Sequence, residues 1–129
     1  MLKKVLLLLV SILLMSGIGF CNSSGVFNLG TLTTPNVTSR IQVDSFSNHT
    51  FTYVVTGINT NVVLRPEGSV DGTTYFTLDD DLLDTTLTAN GTFMDRKASF
   101  YAKYVRVRFV SESGGTNASI KVYYMGGEQ

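Results

Sequence analysis

The stretch VVLRPEGSVDGTTYFTL, Val62 to Leu78, decides the fold class. Val62 and Leu64 alternate with Val63 and Arg65, the period of two that a pleated strand imposes. Tyr75 to Leu78 supplies the β-branched and aromatic residues of a return strand. Between them lie Gly68 and the pair Asp71-Gly72, residue types that tolerate positive φ and so can reverse the chain. Pro66 cannot donate to a ladder, which predicts an edge or a bulge where the first strand ends. The stretch is a β-hairpin and carries no catalytic motif.

Working outward, the remaining strands follow the same logic. Lys103 to Val110 alternates most clearly, with Val105, Val107 and Phe109 inward and Tyr104, Arg106 and Arg108 outward. Gly114-Gly115 turns it into a last strand, in which Ile120, Val122 and Tyr124 oppose Lys121 and Tyr123. Upstream, Ser39 to Phe46 and Phe51 to Val55 read as strands, with Ser47 to Thr50 a turn between them. Thr85 to Thr88 reads as a short strand, Asn90-Gly91 as a turn, and Met94 to Tyr101 as an irregular crossover or a helical turn. No apolar period of 3.6 persists over ten residues beyond the N-terminal run. Many short strands spaced by turn residues predict an all-β chain, an antiparallel β-sandwich of jelly-roll type.

The N-terminus reads as a cleaved signal peptide over residues 1–21. Lys3 and Lys4 precede the apolar run Val5 to Leu14, and the small residues Ser16, Gly17 and Gly19 follow. That run is shorter than the roughly 20 residues a membrane span needs. Cys21 leaves a lipoprotein alternative open, against which the bulky Phe20 counts. Removal of Lys3 and Lys4 leaves eight basic residues against ten acidic ones. Such a balance gives no general attraction to nucleic acid or to an anionic membrane. With Cys21 the only cysteine, no internal disulfide can form. Residues 22–36 form an N-terminal extension and linker, and 37–129 the sandwich domain.

Two segments carry a resemblance: EGSVDGTTYFTL, from Glu67, and YVRVRFVSESGGTNASIKV, from Tyr104. They resemble small β-sandwich modules of phage and virus structural proteins and of environmental secreted proteins. The resemblance covers the C-terminal half through its turn and strand signatures. It implies a non-enzymatic part of an assembly or surface. A signal peptide departs from capsid and tail proteins and shifts the expectation toward a secreted surface layer or filament.

The candidate functional residues fall into several groups. Asn22, Asn36, Asn48, Asn90 and Asn117 each begin an N-x-S/T sequon, and most lie at expected turns or linkers where a glycan fits. Asp79, Asp80, Asp81 and Asp84 form an acidic loop, read as solvated because the spacing fits no EF-hand. Tyr104, Arg106 and Arg108, with Lys121 and Tyr123 on the next strand, form a basic-aromatic stripe. It fits a wet outer face whose cations pair with carboxylates such as Glu67, in preference to a platform for single-stranded nucleic acid. The sole histidine, His49, has no G-x-S-x-G elbow or other nucleophile context, so no enzyme activity, metal or cofactor is expected. Trp is absent, which weakens a carbohydrate-binding reading built on Tyr75, Tyr101 and Tyr123.

The last group is the segment GVFNLGTL, Gly25 to Leu32, ahead of the linker Thr33-Thr34-Pro35-Asn36. An extended strand would put Phe27 and Leu29 on one face and Val26 and Leu32 on the other. Its apolar residues predict a strand donated to a neighbouring copy, worth about 3–5 kcal/mol before ordering costs. An ordinary first strand of the same domain is the alternative. The function expected is a secreted structural subunit of a homopolymer, with a virion decoration protein or a monomeric glycan-binding or host-surface-binding module as rivals.

Overall fold

A computed structural model describes residues 25–43 and 46–127. The signal peptide, Cys21 and the Asn22 sequon lie outside the described residues. Nine strands are present among the described residues: β1 (Phe27–Leu32), β2 (Ile41–Gln42), β3 (Asn48–Thr56), β4 (Asn61–Ser69), β5 (Phe76–Thr77), β6 (Thr85–Leu87), β7 (Gly91–Lys97), β8 (Tyr104–Ser113) and β9 (Ser119–Gly127). They form two antiparallel sheets, one ordered β1-β9-β3-β7 and the other β2-β8-β4-β5, with β6 also paired to β4. The chain is an all-β sandwich. Among the described residues no helix is long and apolar enough to cross a membrane.

The core is the sum of alternating inward positions. Phe51, Tyr53 and Val55 of β3 and Ile120, Val122 and Tyr124 of β9 face Val62 and Leu64 of β4 and Val105, Val107 and Phe109 of β8. Leu78 and Leu87 close it at the β5 and β6 side. Each such side chain contributes roughly 1.5–3 kcal/mol by leaving water.

Four local expectations are corrected. Pro66 lies within β4, a central strand, and not at its end. Leu78 donates its N–H to the Pro66 carbonyl. In an antiparallel strand a residue's N and O point to the same side. The Pro66 nitrogen therefore faces the gap between β5, which pairs Glu67 and Gly68, and β6, which pairs Val62 to Leu64. The missing N–H thus falls just past the end of the β5 ladder, and the pairing with β8 does not depend on it, since Val107 opposite Pro66 turns its own N–H and carbonyl to Thr38. The bulge lies two residues before Pro66, opposite the Val63–Leu64 step, and its extra residue is Val110 of the partner strand β8.

The crossover expected from Met94 is a strand through Lys97, paired to β3 from His49 to Val55, and Gly91 opens it. The turn expected at Ser47 to Thr50 is the start of β3. Finally, Leu29 and Leu32 both point into the core, although an unbroken strand would put them on opposite faces. A bulge between Asn28 and Gly30 accounts for this. Gly30 has φ of 110° and the Asn28 side-chain oxygen accepts its N–H at 2.9 Å, so the strand gains one residue and changes face.

Candidate functional site

The outer face of the β2-β8-β4-β5 sheet is built around one carboxylate. Beyond the bulge at Val110 of β8, the register sets Glu67 directly opposite Arg106 and Arg65 opposite Arg108. Arg106 donates from Nε to Glu67 Oε2 at 2.6 Å and Arg108 from Nε to Oε1 at 2.8 Å. Glu67 is only 5% exposed, and Arg106 also lies over the Tyr75 ring with its guanidinium carbon 3.5 Å from the centroid. Arg65 forms a two-pronged pair with Asp84 at 2.6 and 2.9 Å, and the Asp84 partnership raises the arginine's pKa.

The turn after β4 extends this face. Asp71 Oδ1 accepts the N–H groups of Thr73 and Thr74, each at 2.7 Å, and the Ser69 hydroxyl at 2.9 Å. Those donors, Thr74 and Thr73 first, hold the Asp71 carboxyl far below the usual range. The reversal carries the Gly72 carbonyl to the Arg40 guanidinium, which donates to it. Arg40 and Lys103 flank the Tyr104 ring at 5.2 and 5.9 Å from its centroid. Arg40, Arg65, Lys103, Arg106 and Arg108 thus outnumber Glu67, Asp71 and Asp84, and the face is cationic.

Lys121 and Tyr123 are not part of it. They belong to β9, in the other sheet, so the stripe expected from sequence is divided between opposite surfaces. Cross-strand pairing of its cations with Glu67 is present as expected. Tyr101 is exposed and lies outside any strand.

At the sandwich's flank, Lys97 bridges Asp79 at 2.6 Å and Asp95 at 3.1 Å. Burial opposes the lysine's charge, but the two carboxylates outweigh it and raise its pKa. Asp95 Oδ2 also accepts the Thr85 hydroxyl at 2.7 Å. Burial, then Asp95, pushes the Tyr53 phenol far up. The acidic loop is therefore tied down at Asp79 by Lys97 and at Asp84 by Arg65, leaving Asp80 and Asp81 exposed at its tip. Among the described residues no three His, Cys, Asp or Glu side chains group so as to hold a metal ion.

His49 is fully buried in β3, with Nδ1 2.9 Å from the Tyr124 hydroxyl and Nε2 2.9 Å from the Phe100 carbonyl. A carbonyl accepts only, so Nε2 carries the proton and Nδ1 accepts from Tyr124. Burial lowers its pKa, against the Phe100 bond that raises it. The arrangement locks a core histidine and offers no nucleophile.

Three sequon residues, Asn36, Asn90 and Asn117, are exposed. Asn90 Oδ1 accepts the Ile58 N–H at 2.9 Å, and the Asn117 carbonyl lies against Gly57, so these two share the end of the sandwich where β3 turns into β4. Asn48 differs. It is 9% exposed at the start of β3, and its Oδ1 has no partner among the described residues. Beside it a shallow hollow of about 380 Å³ opens between Met94, Arg96 and Met125.

Of the assembly-strand residues, Leu29 and Leu32 are buried in their own chain, and Val26 and Phe27 are exposed. The strand pairs with β9, Phe27 opposite Tyr124 and Leu32 opposite Ile120. The structure thus holds the segment within its own sandwich, the alternative that its sequence left open.

Fold and surface together define a small antiparallel β-sandwich with a cationic, aromatic outer face. No protein-family model and no curated protein matches the chain. Among solved structures it is similar to the crystal structure of the SPBc2 prophage-derived protein YomS, with a TM-score of 0.55 at 13% identity. That likeness covers 80% of this chain and 92% of the other. A prophage-derived protein therefore shares the sandwich, in keeping with the resemblance to phage modules.

Proposed function

We propose that the chain is a secreted, non-enzymatic structural subunit, a jelly-roll-like sandwich that polymerises by exchanging β1 between copies. One observation carries this reading. β1 is an edge strand whose ladder partner is β9, and every residue of the tether 33–36 that follows it is exposed. An edge strand on an exposed tether can leave its own β9 and dock on a neighbour's, re-forming the same ladder and re-burying Leu29 and Leu32. The exchange changes no contact within the ladder, so concentration and tether strain decide between open and closed forms. Exported glycan chains at Asn36, Asn90 and Asn117 belong to the same reading. The prophage origin of the structural neighbour favours a virion decoration or fibre protein as a second reading.

Thr31 and Lys121 are exposed partners in the β1–β9 ladder, which gives a direct test. Thr31→Cys and Lys121→Cys, in a Cys21→Ser background, should link chain to chain on oxidation of assembled material. A ladder of covalent multimers on a non-reducing gel is the expected result. A band of internally linked monomer alone refutes strand exchange.

A further inference from the structure

We propose that the acidic tip Asp80-Asp81-Leu82-Leu83 of one copy docks on the cationic face around Arg106 and Arg108 of a second copy. This deepens the polymer reading by supplying a second contact between subunits, independent of β1.

The face has cationic charge to spare. Two guanidiniums share the one Glu67 carboxylate, each through Nε, and neither arginine makes a further hydrogen bond through an Nη nitrogen among the described residues. Their planes are nevertheless fixed, by Glu67 and, for Arg106, by the Tyr75 ring. Guanidiniums held in this way, with side chains 18% and 40% exposed, are suited to carboxylates, which they meet in paired N–H···O geometry. Arg40 and Lys103, set beside Tyr104, widen the same field.

The same chain carries a complementary group. Asp80 and Asp81 are exposed, and Leu82 and Leu83 beside them are 71% and 62% exposed. Two adjacent exposed leucines give the tip an apolar area that a partner surface can cover. Leu82 also sits at φ 55°, with its N–H donated to the Asp79 carbonyl at 3.1 Å. A branched side chain at positive φ persists only where its surroundings hold it. Here the ion pairs at Asp79 and Asp84 hold both ends, so the tip is presented in one shape. Carboxylates then meet the arginines while the leucines meet the Tyr75 and Tyr104 rings.

Tip and face are different surfaces, so the contact is head-to-tail and open-ended unless its rotation closes. A tip of four residues covers well under the roughly 800 Å² per partner of a stable interface, so the contact is weak and salt-sensitive alone.

The test is a charge exchange followed by sedimentation velocity at low and high salt. Arg106 and Arg108 are left untouched because they hold Glu67. One variant is Asp80→Lys with Asp81→Lys; the other is Arg40→Glu with Lys103→Glu. All four positions are exposed, and circular dichroism verifies that each variant folds. Each alone should associate at least about tenfold more weakly than the parent at low salt. An equimolar mixture should restore association, since each variant's tip then meets a face of opposite sign. Failure of the mixture to restore it, or parental association in either variant, overturns the proposal. So does a parent chain that binds dextran sulfate but does not self-associate. The β1 cross-link is read separately, so either contact can fail without the other.

Discussion

Removing the charge of Glu67 while keeping its shape should cost the fold more than any other single ionic change. In Glu67→Gln the amide oxygen can accept from one arginine, but the NH2 group meets the other donor to donor. One charge-assisted bond, worth about 1.5–3 kcal/mol, is lost, and the other falls to a neutral bond of about 1 kcal/mol. Arg108, with its side chain 40% exposed, can turn to water, which refunds part of the loss, whereas Arg106 at 18% stays under Tyr75. The net loss is about 2–3 kcal/mol, which for a domain of this size lowers Tm by roughly 10–20 °C. Asp84→Asn provides the contrast. Its pair with Arg65 has side-chain exposures of 36% and 21%, so it should cost no more than about 1 kcal/mol. The chain has no Trp, so urea unfolding is followed by circular dichroism. A Glu67→Gln midpoint equal to the parent's, or a loss no greater than that of Asp84→Asn, would show that the buried carboxylate does not organise this face. The loss measures two arginines left without their partner. It does not measure the worth of the whole triad against an apolar replacement.

Two further outcomes follow from the interior. His49 has a folded pKa below its unfolded value near 6.5, so its contribution is full above that pH and is lost as pH falls below it. Stability should drop between pH 7 and pH 5 with a slope of up to about 1.4 kcal/mol per pH unit, and His49→Gln should lose that part of the slope in parallel urea titrations. Gly57 has φ of 75°, and a Cβ there would lie 2.2 Å from the Asn117 carbonyl oxygen. Gly57→Ala should therefore destabilise by at least about 2 kcal/mol in the same titration, whereas Gly127→Ala, with no atom within 4 Å of its Cβ, should not.

The parts of this fold that the sequence discloses are those where an alternation runs unbroken. β8 reads directly, because Val105, Val107 and Phe109 enter the core and Tyr104, Arg106 and Arg108 leave it without interruption. Glu67 as partner of those arginines was legible for the same reason. A bulge defeats the method. At Asn28–Gly30 one extra residue turns Leu32 to the same side as Leu29, and only Gly30 hinted at it. β7 was missed because its inward positions, Phe93, Asp95 and Lys97, include charged residues that satisfy one another at the sandwich's flank. Asn48 and His49 looked like turn residues because polar side chains usually lie at the surface; the Tyr124 and Phe100 bonds that let His49 be buried come from distant strands. Sheet membership is likewise non-local. Nothing near Lys121 and Tyr123 reports that the Gly114-Gly115 turn carries the chain from one sheet to the other.

The Glu67 triad also bears on why this sandwich adopts one register. β8 carries an extra residue, Val110, opposite the Val63–Leu64 step of β4, and it could in principle sit one place earlier or later in the pairing. A one-residue slip moves every side chain of a strand to the opposite face. In β4 beyond the bulge, such a slip would carry Glu67 into a layer lined by Val105 and Val107 and expel Leu64. An unpaired carboxylate there costs several kcal/mol, and an expelled leucine roughly 2 more. The slipped register therefore has two penalties, while the observed one satisfies both carboxylate oxygens at 2.6 and 2.8 Å. In a chain with one cysteine, and so no internal disulfide, alignment must come from such pairings. The carboxylate that aligns β4 with β8 is also the one that leaves the face with unspent guanidinium edges. Register and surface charge thus follow from the same residue.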